Sequence, residues 1–273
     1  MPISFGYAAM TTDKKRFGKI EGEAVNIDYG QRRIVKDLDL TIPDRCFTAL
    51  IGPNGSGKST ILRTFAALMK PSGGTIRLDG RDLTELSTRD IARKVGVLSQ
   101  GPVAPEGLTV ADLVRQGRYP HQQFFSRWSA HDQQACDEAL MLTGMSDLAN
   151  RVLDSLSGGQ RQRAWIAMTL AQQGEAILLD EPTTYLDLEH QIELMKLITM
   201  LVEKHGKTVV AVLHDINQAA RFAQNIVMLK GGRITAVGKP DEVISADTIF
   251  DVFNVRTVVI RDPVAGTPLC IPL

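Results

Sequence analysis

Gly52-Pro53-Asn54-Gly55-Ser56-Gly57-Lys58-Ser59-Thr60 fits the pattern G-x-x-x-x-G-K-S/T. It stands where that pattern has physical meaning, between an apolar run over 47–51 and a helical stretch expected over 58–69. Glycines let the backbone wrap a triphosphate so that several N–H groups point at its oxygens. The helix N-terminus adds its positive end. In this setting Lys58 reaches the β- and γ-phosphates, and the Ser59 hydroxyl is a ligand for Mg²⁺. All nine residues are candidate nucleotide contacts. A glycine-rich turn matching by chance would not need the strand and helix on either side.

Outward from this loop, short apolar runs alternate with helical patterns. Strands are expected over 24–27, 34–42, 47–51, 75–78, 95–98, 176–179, 209–213, 226–229 and 233–237. Helices are expected over 58–69, 157–173, 188–204 and 217–223, and residues from about 107 to 150 read as mostly helical. Short, fully apolar strands alternating with helices imply an α/β fold whose mostly parallel sheet is covered on both faces. Hairpin signals at Asp79-Gly80 and Gly231-Gly232, near both ends, suggest a small antiparallel β subdomain beside it. Residues 1–21 lack apolar periodicity and are expected to be a loose extension.

A second signal is the apolar run 176–179 followed by Asp180-Glu181-Pro182. A buried parallel strand ending in two carboxylates places them at the sheet edge where ligands bind. Asp180 is placed to hold Mg²⁺, and Glu181 to polarise an attacking water as general base. Alone, the pair reads equally well as a helix-capping Asp beside a surface Glu. The Lys58 loop on the same chain favours the chemical reading.

Leu156-Ser157-Gly158-Gly159-Gln160 then points to a family. It resembles the signature of ABC ATPases and lies, as in that family, between the phosphate loop and the Asp180 strand. The resemblance implies a P-loop NTPase core with an antiparallel β subdomain and an inserted α-helical subdomain over about 101–156, all within one cassette spanning 22–240. It implies a C-terminal tail, 241–273, packed on that cassette. It also implies that Ser157, Gly158, Gly159 and Gln160 cap the ATP held by a second copy of the chain, in a head-to-tail dimer. Gln100 resembles the Q-loop glutamine, with a role at Mg²⁺ and the attacking water, and His214 resembles the switch histidine at the γ-phosphate. Tyr29 resembles the aromatic that stacks on adenine, although a turn aromatic is the simple alternative. Asp187 resembles the D-loop acid at the dimer seam, in a loop that usually has a small residue where Tyr185 stands.

Further stretches narrow the likeness to ATPases of ferric-siderophore importers, the ferric-enterobactin type most of all. These are Arg115 to His121, Gln160 to Met168, Ala211 to Ala220 and Asp262 to Pro268. Trp165 and Met168 within them also read as plain core residues. The likeness implies ATP and Mg²⁺ as cofactors, and separate transmembrane permease subunits as partners. A periplasmic or extracellular binding protein would act indirectly. The expected place is the cytoplasmic face of the bacterial inner membrane, peripherally. Haem and cobalamin importers have similar engines and stay open as alternatives.

Composition agrees with this class. Thirty-one Lys and Arg balance 31 Asp and Glu across 273 residues, which gives no basic excess for nucleic acid. A non-transport ABC ATPase acting on nucleic acid would also interrupt the cassette with long coiled coils, whereas roughly a hundred ordinary residues separate Lys58 from Ser157. No apolar run approaches the length of a membrane span. The cations Lys14, Lys15, Arg16 and Lys19 follow a mildly apolar stretch, the wrong order for a secretory signal. Cys46, Cys136 and Cys270 are far apart and read as reduced thiols.

Overall fold

The computed structural model describes residues 19–102, 104–122 and 127–273. Most of the expected N-terminal extension lies outside these residues. Its last part does not extend loosely: β1 (Ile20–Tyr29) already begins at Ile20, which is fully buried. The expectation of a strand starting at Ala24 missed this because Gly22 and Glu23 break the apolar run.

β1 pairs antiparallel with β2 (Arg32–Ile42) and with β4 (Gly73–Leu78), which pairs in turn with the two-residue β5 (Arg81–Asp82). The order of this sheet is β2-β1-β4-β5. A six-stranded sheet has the order β10-β9-β3-β8-β7-β6, built from β3 (Phe47–Ile51), β6 (Val95–Leu98), β7 (Ala176–Leu179), β8 (Thr208–Val212), β9 (Asn225–Lys230) and β10 (Arg233–Gly238). Its strands run parallel except for the edge strand β10. The 226–237 hairpin therefore belongs to the main sheet, not to the antiparallel subdomain as expected. β9 is buried along most of its length and pairs parallel with β3, so its apolar content commits it to the central core.

Alternation within the central strands explains the layers. Phe47, Ala49 and Ile51 of β3, with Val209 and Ala211 of β8, face one core, shared with α5 (Gly158–Ala171) and α6 (Leu188–Glu203). Leu50, Val210 and Val212 face the other, shared with α1 (Lys58–Phe65) and the antiparallel sheet. Both faces are covered, as continuous apolar strands require. α1 is shorter than the sequence suggests, because Ala67 takes a left-handed backbone (φ 56°) and turns the chain toward β4.

α2 (Thr88–Lys94) leads into β6, and α3 (Val110–Gln116) and α4 (Ala130–Leu142) pack on α5 as the helical region. α7 (Ile216–Phe222) follows β8. The chain ends in α8 (Pro240–Val243), α9 (Ala246–Phe253) and an antiparallel hairpin of β11 (Thr257–Arg261) and β12 (Pro268–Pro272). Asn217 of α7 holds β12 by a two-way bond: its amide donates to the Cys270 carbonyl (3.1 Å), and its side-chain oxygen accepts from the Cys270 N–H (2.8 Å). Among the described residues, no helix is long and apolar enough to cross a membrane.

Candidate nucleotide site

β3 ends at Ile51 and α1 begins at Lys58, so the turn between them sits at the carboxyl end of a central strand. Gly52 has no alternative there: a Cβ would lie 2.1 Å from the Leu229 carbonyl oxygen. Gly57 caps α1 without any side-chain acceptor, which leaves the first N–H groups of the helix to an anion. The Lys58 ammonium is buried and donates to the carbonyls of Gly52 (2.8 Å) and Pro53 (3.0 Å). Burial lowers its pKa, against the opposing charges of Glu181 and Asp180. The Ser56 hydroxyl is buried with no hydrogen-bond partner.

Asp180 continues from β7 and is 2% exposed. Its Oδ1 accepts from the Ser59 hydroxyl at 2.7 Å, whereas its Oδ2 is buried without a hydrogen bond. The nearest cation to Oδ2 is Arg63, with Nε at 3.9 Å. Burial raises the Asp180 pKa, and the Ser59 bond and the Arg63 charge only partly offset this. An orphaned carboxylate oxygen next to a hydroxyl is a donor set that suits a hard divalent cation. Among the described residues no three His, Cys, Asp or Glu side chains form a metal cage.

Glu181 is gripped from both sides. Its Oε2 accepts from the Gln100 amide (2.7 Å) and from the Thr184 hydroxyl (3.3 Å). Its Oε1 lies 2.9 Å from His214 Nε2, and a carboxylate only accepts, so Nε2 carries the proton. Glu181 itself takes a left-handed backbone (φ 53°), the kind of strain that collects at functional sites. Gln100, Glu181 and His214 arrive from the carboxyl ends of β6, β7 and β8, so the parallel order of the sheet brings them together.

Ser157, Gly158, Gly159 and Gln160 form a separate helix start. Ser157 caps α5 by accepting from the Gln160 N–H (3.3 Å), and Gln160 returns the bond to the Ser157 N–H (3.1 Å). Gly158 and Gly159 face the turn after Glu181 and the start of α6, where Asp187 is the N-cap of α6 and accepts from the His190 N–H (3.0 Å). Tyr185 in that turn is 96% exposed with a left-handed backbone (φ 64°), so the position expected to be small is tolerated by pointing into solvent. Tyr29 ends β1 with its ring 73% exposed, on the hairpin whose β2 residues Val35 and Ile34 border Gly57.

Sequence reading missed Arg63, Thr184 and His190. Arg63 had a signal, four residues after Ser59 and therefore on the same helix face. Thr184 and His190 had none, because their partners are set by the turn between β7 and α6.

Residues 35–184 match the family model described as ABC transporter. The chain is 53% identical over 253 residues to the "Probable siderophore transport system ATP-binding protein YusV" of Bacillus subtilis, covering 93% of this chain and 92% of that protein. It is 48% identical over 255 residues to the ferric enterobactin transport ATP-binding protein FepC of Escherichia coli, covering 93% and 94%. A solved dimeric bacterial ABC transporter cassette superimposes with a TM-score of 0.71 at 32% identity, over 81% of this chain and 98% of that one. With a phosphate loop, a carboxylate pair and a signature helix on one such cassette, the chain belongs to the ABC transporter family as one of its ATP-binding subunits.

Proposed function

We propose that this ATPase energises uptake of an iron–siderophore complex through a separate membrane permease, working as a head-to-tail dimer at the cytoplasmic face of the membrane. The observation that carries the catalytic reading is the grip on Glu181 by Gln100 and His214 beside the Ser59–Asp180 pair. Two carboxylates with opposite environments suit opposite tasks. Asp180, buried with a free oxygen, suits a cation, and Glu181, held by donors that can let go, suits a proton transfer.

Lys58 and the loop N–H groups would hold the β- and γ-phosphates, and Ser59 and Asp180 would hold Mg²⁺. The ion, when bound, supplies neutralisation of charge on the phosphate oxygens. Glu181 can orient a water and accept its proton once an oxygen is released from its present donors. Gln100 and His214, freed in the same movement, become available to the water and the γ-phosphate. The Ser157 start of α5 in a second chain would cover the exposed side of the nucleotide, so only the closed pair completes the site. Closure moves the helical regions, where a permease segment would dock, and hydrolysis with product release reopens the pair.

The cargo reading is supported by relatives whose names specify siderophore transport and ferric enterobactin transport. The test is uptake of labelled ferric siderophores by cells lacking this chain, complemented with wild type or with Glu181→Gln. Catecholate-siderophore uptake should return only with wild type. Uptake unaffected throughout, with ATPase activity intact, would overturn the siderophore reading and turn attention to haem and cobalamin.

A further inference from the structure

The two signature glycines face different surroundings. A Cβ built on Gly158 would meet nothing nearer than the Tyr185 carbonyl oxygen at 3.8 Å, so its bareness serves open space. A Cβ on Gly159 would lie 2.1 Å from Cδ2, 2.5 Å from Cγ and 2.9 Å from Nε2 of His190. The imidazole therefore fills the volume that a side chain at 159 would need. The ring is not free to turn away. Asp187 Oδ1 accepts from the His190 backbone N–H at 3.0 Å and also pairs with Nδ1, which fixes the ring against α5.

The far side of this contact leads back to the catalytic carboxylate. Gln191, the next residue, donates to the Leu186 carbonyl at 3.0 Å and so braces the turn that follows Glu181. Its side-chain oxygen accepts from Gln218 at 2.6 Å, and the Gln218 N–H donates to Asp215, the residue after His214. The turn that holds Glu181, the loop that holds His214 and the start of α5 are thus packed through one point on α6.

We propose that His190 is a positioning residue for the signature loop: its ring, locked by Asp187 and seated on Gly159, sets where Ser157 stands relative to the chain's own Glu181 turn. The inference rests on the composite-site reading, in which Ser157 serves the nucleotide of the partner chain. Any shift of the Glu181 turn then moves the cover over the neighbouring site. The bareness of Gly159 thus makes room for the His190 ring, whereas that of Gly158 leaves open space.

The test is steady-state ATPase of the full-length chain assembled with its permease, together with binding of a fluorescent ATP analogue to the resting chain. His190→Ala should lower kcat about 10- to 100-fold, as misplacement of a group outside the chemistry does. Nucleotide affinity of the resting chain should change less than about twofold, because the Lys58 loop is untouched. His190→Asn, which keeps an N–H for Asp187, should recover part of the loss. Gly159→Ala should be inactive in the presence of the ring, and the double variant with His190→Ala should have a kcat no lower than His190→Ala alone.

A kcat for His190→Ala within about twofold of wild type would overturn the inference. So would losses that multiply in the double variant, or a collapse of nucleotide binding that placed the effect at the Lys58 loop. Ser157→Arg separates the two levels of the argument. If it hydrolyses ATP like wild type, the composite site fails. If it is inactive while His190→Ala is normal, only the positioning role fails.

Discussion

Asp180 and Glu181 are neighbours in sequence with opposite surroundings, and both halves of that contrast can be measured. Asp180 is buried with one oxygen unbonded, so its pKa is raised in the folded chain. A carboxyl that holds its proton more tightly when folded loses stability for the fold as pH rises through the ordinary value of 3.8 and beyond. Asp180→Asn is therefore expected to abolish turnover yet stabilise the nucleotide-free chain by about 1 kcal/mol at neutral pH. The gain should shrink as pH falls toward 3.8, read by urea unfolding across pH. Lys58→Ala should lose most ATP affinity, measured by calorimetry, because the Lys58 ammonium is held inside the loop by the Gly52 and Pro53 carbonyls. Ser59, Asp180 and Glu181 were legible from the loop pattern and the strand-end carboxylates, whereas Gln100 and His214 were legible only through the family resemblance, since a lone Gln or His after a strand carries no signal. Arg63, Thr184 and His190 depend on contacts that only the folded turns create.

At the scale of elements, Arg118 joins the helical region to the core. Its guanidinium is 1% exposed and donates to Asp132 (2.9 Å), the Ala171 carbonyl (2.7 Å) and the Gln173 side chain (2.9 Å). It therefore ties the start of α4 to the end of α5. Burial disfavours the Asp132 charge, but the Ser129 hydroxyl and Arg118 outweigh it and hold the carboxyl at about 2. This lowered group contributes stability above its ordinary 3.8 that is lost as pH falls toward about 2. Arg118→Ala should cost about 3 kcal/mol, by leaving a buried carboxylate without its cation, and should remove part of that acid-side dependence, the part held by Ser129 remaining. Denaturant unfolding at neutral and acid pH checks both. The bounds of β3, β6 and β7 were readable to the residue, since each is a mainly apolar run with a charge or glycine at one end at least: Gly52 after β3, Lys94 before β6, Glu175 and Asp180 around β7. α2 was not, because Ile91 is its one buried residue and gives no periodic signal. The β11–β12 hairpin was missed because its turn has no two-residue glycine signal and its outer face is as apolar as its inner one.

At the scale of the whole molecule, a parallel sheet with α1 and the antiparallel sheet on one face and α5 and α6 on the other gathers five chemical residues at one edge. Apart from that edge, the Ser157 start of α5 is closed by its own capping box. In the proposed head-to-tail pair that start would cover the partner's nucleotide, and a dimeric cassette is among the solved relatives. The sequence placed both loops on one chain, but the assignment of the 226–237 hairpin to the main sheet needed the fold, because hairpin signals do not say which sheet a strand joins. The measurement that bears most directly on the account follows Glu181→Gln with ATP and Mg²⁺ by size exclusion, alongside its turnover. The variant should elute as a dimer retaining ATP, with hydrolysis at least about 100-fold below wild type. Turnover within a few-fold of wild type, or a monomer without nucleotide, would contradict the assignment of Glu181 as the base of a shared ATP site.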